Sequence, residues 1–259
     1  MLYVTKLNME EISLITGASG CIGSSTSKYF AKKGMVVLIT DINDESGQKL
    51  EREIISSGGK AKYYHMDVCS KKEVRDVLGD IGEEYGRINH TICIAGGALG
   101  ENNLPFEEIP EEIKRKTFEL NYFGVCSVIE NAVHLMEGLE NASIVVTGSG
   151  NADQAIGNPY YSSSKGALKS LVKYLSSQYG QRGIRVNMIV PGTVQSERTK
   201  KMYKNSDVFK ELKEKITYGN DFIPPEDIAD GIYFLTQNKS ANGCKLILDR
   251  GQSAGKHIV

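Results

Sequence analysis

The spacing of apolar residues restricts this chain more than any other feature. Short apolar runs occur at Ile12–Thr16, Val36–Thr40, Ala61–His65, Thr91–Ala95, Ser143–Thr147, Arg185–Val190 and Lys245–Leu248. Most are rich in Val and Ile, as strands covered on both faces should be. Longer amphipathic stretches lie between them, at Ile22–Lys33, Glu45–Ser56, Lys71–Tyr85, Glu111–Glu137, Tyr160–Gln181 and Glu226–Gln237. Alternation of this kind predicts βαβ units building an α/β, doubly wound sandwich, with a mostly parallel seven-stranded sheet and helices on both faces. There is no proline-rich linker, low-complexity tract or fixed-period repeat, so residues 1–259 read as one domain.

Two segments interrupt the rhythm. Gly96–Pro110 follows the fourth run and holds few apolar residues, and Pro191–Tyr218 follows the sixth and is long and charged. Loops leaving the carboxyl ends of strands line the ligand crevice in such sheets. The second is long enough to predict a substrate lid at 191–218.

Composition narrows the partners. There are 31 basic and 32 acidic residues, for a net charge of -1, so no overall field favours nucleic acid or an anionic membrane. No stretch has the roughly 20 apolar residues of a transmembrane helix, and Met1–Glu11 lacks the basic-then-apolar order of a signal peptide. The five cysteines are scattered without C-x-x-C spacing, and no His or Cys cluster offers four zinc ligands. Reduced thiols, no metal and a cytoplasmic setting are expected.

Chemistry first surfaces where the first run enters Thr16-Gly17-Ala18-Ser19-Gly20-Cys21-Ile22-Gly23. Glycines here let backbone approach a pyrophosphate, and the start of the next helix supplies N–H donors and a positive dipole end. Gly17, Ser19, Cys21, Ile22 and Gly23 are therefore candidate cofactor contacts. The spacing is G-x-x-x-G-x-G rather than the more familiar G-x-G-x-x-G. Asp41 closes the second run about 20 residues later, where a carboxylate can accept from adenosine ribose hydroxyls and repel a 2′-phosphate. No Arg or Lys stands at Ser19 or Ile42 to offset it, which favours NAD(H) over its phosphorylated form. The alternative role for Asp41 is an N-cap of the following helix.

Farther on, Tyr161-Ser162-Ser163-Ser164-Lys165 opens a long helical stretch. Positions i and i+4 share a face, so phenol and ammonium can address one site. A tyrosine hydroxyl has a pKa near 10, and a neighbouring cation brings it closer to useful proton transfer. Tyr160 meets Ser164 at the same spacing, so Tyr161 is the candidate.

Gly17, Gly20 and Gly23 followed by Tyr161 and Lys165 resemble the short-chain dehydrogenase/reductase family, and the likeness runs along essentially the whole chain. Asp67-Val68 resembles its adenine-contacting pair, Asn121-Tyr122-Phe123-Gly124 its helix asparagine motif, and Ser149 its catalytic serine. Pro191-Gly192-Thr193-Val194-Gln195-Ser196 resembles the segment that packs at the nicotinamide end, and Pro225-Glu226-Asp227-Ile228-Ala229 a late helix start. The resemblance implies a Rossmann-like fold and hydride transfer between NAD(H) and a secondary alcohol or ketone. Its catalytic set would be Asn121, Ser149, Tyr161 and Lys165. Cofactor contacts would extend to Asp67, Val68, Ala95, Gly96, Tyr161, Lys165, Pro191, Gly192, Val194 and Ser196. Tyr161 would exchange the proton, Lys165 would hold the nicotinamide ribose, Ser149 would bond the reacting oxygen, and Asn121 would hold a relay water. The helices at Glu111–Glu137 and Tyr160–Gln181 look broad for one sheet contact, and family habit implies a homotetramer or homodimer.

Departures accompany the match. Cys93-Ile94-Ala95-Gly96 replaces the usual N-N-A-G, Thr147-Gly148-Ser149 replaces a serine pair, and Asp249-Arg250-Gly251 replaces D-G-G. His65, His90, His134 and His257 lack partners at catalytic or metal spacing, and the Lys-rich run from Lys200 to Lys204 reads as a solvated lid surface. Hydroxysteroid, sugar or polyol, and 3-oxoacyl substrates all remain open, since Ala98, Leu99, Ala155, Ile156, Met202 and Tyr203 mix with polar neighbours. A dehydratase or epimerase recycling bound NAD is a rival enzyme, and a non-catalytic NAD(H)-binding regulator or scaffold is a rival of another class.

Overall fold

The computed structural model describes residues 10–100, 104–154, 157–197, 199, 201, 211, 213–219 and 221–254. Its centre is a seven-stranded sheet in the order β3-β2-β1-β4-β5-β6-β7. The strands are β1 (Ile12–Thr16), β2 (Val36–Asp41), β3 (Lys60–His65), β4 (His90–Cys93), β5 (Ala142–Thr147), β6 (Ile184–Pro191) and β7 (Lys245–Leu248). Every pairing is parallel, where the alternation predicted only a mostly parallel sheet.

Side chains alternate between two apolar layers, as period two requires. Leu14, Leu38, Ile144, Val146 and Met188 pack with α3 (Lys71–Tyr85), α5 (Gly124–Ala132) and α6 (Pro159–Gly180). Ile15, Val37, Ile39, Val145 and Ile189 pack with α1 (Cys21–Lys32), α2 (Asp44–Ser56) and the last helix, α7 (Pro225–Gln237). The short α4 (Glu111–Phe118) precedes α5. The chain winds outward one way from β1 and the other way from β4, so the order reverses between them. A crevice opens at the carboxyl ends of such a pair.

Local chemistry sets the helix starts. Asn43 accepts from Ser46 N at 2.9 Å to cap α2, and Ser70 accepts from Glu73 N to cap α3. Asn158 accepts from the amides of Tyr160 and Tyr161 at the start of α6, with Pro159 in the first turn. Helix α1 has Gly20 at its N-cap position and so no side-chain cap.

Two expectations about boundaries are corrected. The helix predicted over Glu111–Glu137 is interrupted by a π turn at Glu119–Phe123 and ends in a 3-10 turn at Val133–Leu135. Leu120, Tyr122 and Phe123 keep the segment apolar through the turn, which hides the break. Strand β4 stops at Cys93 rather than Ala95, because the amides of Ile94 and Ala95 both donate to Thr16 Oγ1 at 3.2 Å. Among the described residues no helix is long and apolar enough to cross a membrane, and no cluster of His, Cys, Asp and Glu is placed to hold a metal ion. Ala155, Ile156, Met202, Tyr203, His257 and much of the predicted lid lie outside the described residues.

Candidate active site

A cleft of about 1220 Å³ lies along the carboxyl ends of the strands. It exceeds the roughly 300–1,000 Å³ of an ordinary small-molecule site, leaving room for a dinucleotide beside a second molecule.

The glycine turn forms its floor. Gly17 has φ +62, and a Cβ there would lie 2.7 Å from Ala95 Cα. A Cβ on Gly23 would lie 2.2 Å from Gly17 O, so this glycine lets α1 close back onto the turn. Gly20 meets nothing nearer than 3.3 Å and borders the cleft. Ser19, Cys21 and Ile22 border it too, and Cys21 Sγ donates to Gln195 O, tying the turn to the loop after β6.

Asp41 ends β2 with each carboxylate oxygen already anchored. Oδ2 accepts from Ser19 N at 2.9 Å and Oδ1 from Asn43 N at 3.0 Å. The cap of α2 belongs to Asn43, so Asp41 is not the N-cap its position allowed. Each oxygen keeps a second lone pair for a ligand hydroxyl. Asp67 and Val68 border the same end of the cleft. Asp67 N donates to Glu73 Oε2, and Val68 packs against Gly124, where a Cβ would come within 2.9 Å.

At the other end, Asn158 and Pro159 start α6 so that Tyr161 and Lys165 both border the cleft. Lys165 is buried, and its Nζ donates to Thr147 O at 2.8 Å. Burial pushes its pKa down to about 8. The ammonium therefore persists at neutral pH yet costs the fold desolvation energy. Cys93 is itself buried, and desolvation pushes its thiol up to about 12, so it contributes no thiolate.

Asn121 is fully buried on the π turn behind the cleft wall. Its Oδ1 accepts from Gly97 N at 2.8 Å and its Nδ2 donates to Gly97 O at 3.0 Å. A Cβ on Gly96 would meet Asn121 Oδ1 at 2.6 Å and Lys165 Nζ at 3.1 Å, so amide, ammonium and the post-β4 backbone converge there. Ala95 and Gly96 border the cleft. Ser149 does not. It lies between Gly148 and Asn151, which do, and its Oγ accepts from Asn151 N at 3.2 Å.

Pro191, Gly192, Val194 and Ser196 complete the wall after β6. Gln252 Oε1 accepts from Thr193 N at 3.0 Å, and Val194 bridges to Ile223. Ser196 Oγ accepts from Thr199 N at 2.9 Å, so its hydroxyl is engaged in starting the next turn. The tip of β7 shows the clearest backbone departure: Arg250 has φ +51, a conformation that favours glycine. Its guanidinium donates to the carbonyls of Asp221 and Phe222, which ties the turn to the chain after the predicted lid.

The three described histidines stay out of the site. His65 is half exposed beside Asp44, His134 is exposed, and His90 is buried at the opposite end of the sheet. Sequence reasoning gave no site role to Gly97, Asn151 and Asn158, nor to Thr147 and Thr193 inside the motifs it quoted, and all five border the cleft. Only Asn158 carried a local signal, as an N-P pair ahead of a helix.

The architecture agrees with known proteins. A family model described as enoyl-(acyl carrier protein) reductase matches residues 17–253. The chain is 33% identical to short chain aldehyde dehydrogenase 1 of Euphorbia lathyris, covering 94% of this chain and 88% of that protein. It is 27% identical to secoisolariciresinol dehydrogenase of Forsythia intermedia, covering 96% and 91%. Among solved structures, a Haemophilus influenza protein assigned as a D-mannonate oxidoreductase, with bound NAD, aligns at a TM-score of 0.88 and 26% identity, covering 96% and 97%. With a glycine turn, a phenol and a buried ammonium around one cleft, the chain belongs to the short-chain dehydrogenase/reductase family, nicotinamide-dependent oxidoreductases acting on CH–OH groups.

Proposed function

We propose that the chain is an NAD(H)-preferring alcohol dehydrogenase or carbonyl reductase built as a single domain, with Tyr161 as its acid–base group. The reading rests on one observation above all: Lys165 keeps a buried ammonium on the wall of the cleft that the glycine turn also borders. When bound, the nicotinamide supplies the hydride acceptor or donor. The residues do the rest. In the oxidation direction Tyr161 Oη takes the alcohol proton as a hydride leaves the carbon, and it returns a proton in the reverse direction. Lys165 stabilises the phenolate and holds the nicotinamide ribose. Ser149 Oγ, which accepts from Asn151 N, keeps its O–H to donate to the reacting oxygen, which stabilises developing charge. Asn121 holds the Gly96–Gly97 backbone against the ammonium and keeps a lone pair on Oδ1 for a relay water. At the far end, Asp41 accepts from the adenosine ribose, and its charge disfavours a 2′-phosphate.

The substrate is a small-molecule secondary alcohol or ketone. Retention of Asn121, Ser149, Tyr161 and Lys165 together favours an enzyme over a regulator or scaffold. Five cysteines with no disulfide between them favour a cytoplasmic setting. The broad apolar helices favour a homodimer or homotetramer. The test is NAD reduction by the purified protein against secondary alcohols that include hydroxysteroids, polyols and 3-hydroxyacyl thioesters. Turnover of one class identifies the substrate, and NAD binding without turnover of any would favour the regulator.

A further inference from the structure

We infer that the Thr147 side chain is a binding residue for the nicotinamide half of the cofactor, an inference that rests on the NAD(H) reading above. Thr147 is the last residue of β5 and is 7% exposed. Its Oγ1 is buried without a hydrogen-bond partner, one of two such side-chain atoms among the described residues. Leaving a buried hydroxyl unsatisfied is costly, so the group marks a place where a partner is expected. The residue borders the cleft, so the partner we assign to its hydroxyl is a ligand of that cleft.

Position identifies the ligand. Thr147 follows Val145 by two, which places it on the sheet face packed by α1 and α7. It pairs with Ile189, two residues before Pro191. Strand β5 stands three places from β2, where Asp41 lies, in the order β2-β1-β4-β5. At about 4.8 Å per strand, the two sites are about 14 Å apart, a span suited to an extended dinucleotide. With the adenosine ribose at Asp41, the nucleoside near Thr147 is the nicotinamide one. The Thr147 carbonyl already holds the Lys165 ammonium. One residue would thus set the ammonium with its backbone and the cofactor with its hydroxyl.

The test uses Thr147→Val, which keeps the shape and removes the oxygen, and Thr147→Ser, which keeps the oxygen. Dissociation constants for NAD, ADP-ribose and AMP are measured on the full chain by calorimetry. The expected result is NAD binding about 5- to 10-fold weaker in Thr147→Val, AMP binding unchanged, and near wild-type NAD affinity in Thr147→Ser. A parallel loss for ADP-ribose places the bond on the ribose, and loss for NAD alone places it on the carboxamide. The ligand-free Thr147→Val protein should melt no lower than wild type, since an unpartnered hydroxyl has been replaced by a methyl. Unchanged NAD affinity in Thr147→Val, an equal loss for AMP, or a melting temperature several degrees lower without ligand would each overturn the inference. Failure of the wild-type chain to bind NAD at all would instead overturn the function proposed above.

Discussion

The two ends of the sheet treat polar groups in opposite ways. At the amino ends of the strands the groups are paired with one another. Glu11 accepts from Asn141 and Gln237 and meets His90 Nε2 at 3.2 Å, while His90 Nδ1 meets Ser143 Oγ at 2.9 Å. Arg185 donates to the carbonyls of Leu235, Asn238 and Ala241 and to Asn141 Oδ1. Desolvation pulls the Glu11 pKa upward, but hydrogen bonds from His90, Asn141 and Gln237 and the His90 charge outweigh it, leaving the carboxyl below its ordinary range. His90 is held below its usual value by burial. At the carboxyl ends lie a buried ammonium, an orphaned hydroxyl and glycines pressed against backbone. One end pairs its buried polar groups with one another, and the other leaves some of them desolvated with few partners, at a cost in stability.

The largest expected effect tests the open end. Tyr161→Phe should lower kcat by about 10³-fold or more while leaving the NAD dissociation constant and melting temperature close to wild type. Retention of most activity would remove Tyr161 from the chemistry. The closed end should respond the other way. Arg185→Met should cost about 2–3 kcal/mol of stability by leaving its carbonyl acceptors unpaired, read by denaturant titration, with kcat of the folded fraction unchanged.

pH dependence sharpens the contrast because the signs differ. Lys165 has a folded pKa of about 8, below its ordinary 10.5. The unfolded chain therefore binds more protons between those values, and the Lys165 contribution makes stability rise as pH climbs from about 8 to 10.5. Lys165→Met should abolish that rise and raise stability at neutral pH, at the expense of activity. Glu11 has a folded pKa below its ordinary 4.5, so its contribution is present above that value and lost as pH falls below it. Glu11→Gln should flatten the acid side of the stability curve. Identical pH profiles for the two variants would collapse the distinction between the ends.

A smaller effect concerns cofactor choice. Asp41→Ser should narrow the preference for NAD over NADP about tenfold, measured as the difference in ligand-induced melting shifts. Equal shifts from both cofactors in the wild-type chain would remove the role given to Asp41. Smallest is the effect of Gly20→Ala, whose Cβ meets only Gly17 O at 3.3 Å. Its melting temperature should stay within a few degrees of wild type, whereas Gly23→Ala should unfold the turn.

Much of the architecture was legible because buried strands and amphipathic helices carry their own periodicities. Ile12–Thr16, Lys245–Leu248 and Lys71–Tyr85 coincide with β1, β7 and α3. The break between α4 and α5 was not legible, since Leu120, Tyr122 and Phe123 keep the segment apolar and no proline marks the π turn. It coincides with the double hydrogen bond between Asn121 and Gly97, a contact across 24 residues that no local pattern encodes. The candidate cofactor positions were legible as glycines and an acid at set distances. Every residue expected to touch the cofactor borders the cleft, whereas Ser149 and Asn121 stand off its wall.

Taken alone, the sequence determined the layers, the strand count and the pairing of Tyr161 with Lys165 on one helix face, because each follows from spacing within a single segment. Tertiary structure decided which polar groups would be satisfied. Thr147 looks like any strand threonine until the packed fold buries its hydroxyl without a hydrogen-bond partner. Asn121 looks like a helix surface residue until Gly97 meets both ends of its amide. Whether a buried polar atom finds a partner depends on segments far apart in the chain, and only the packed fold brings those segments together.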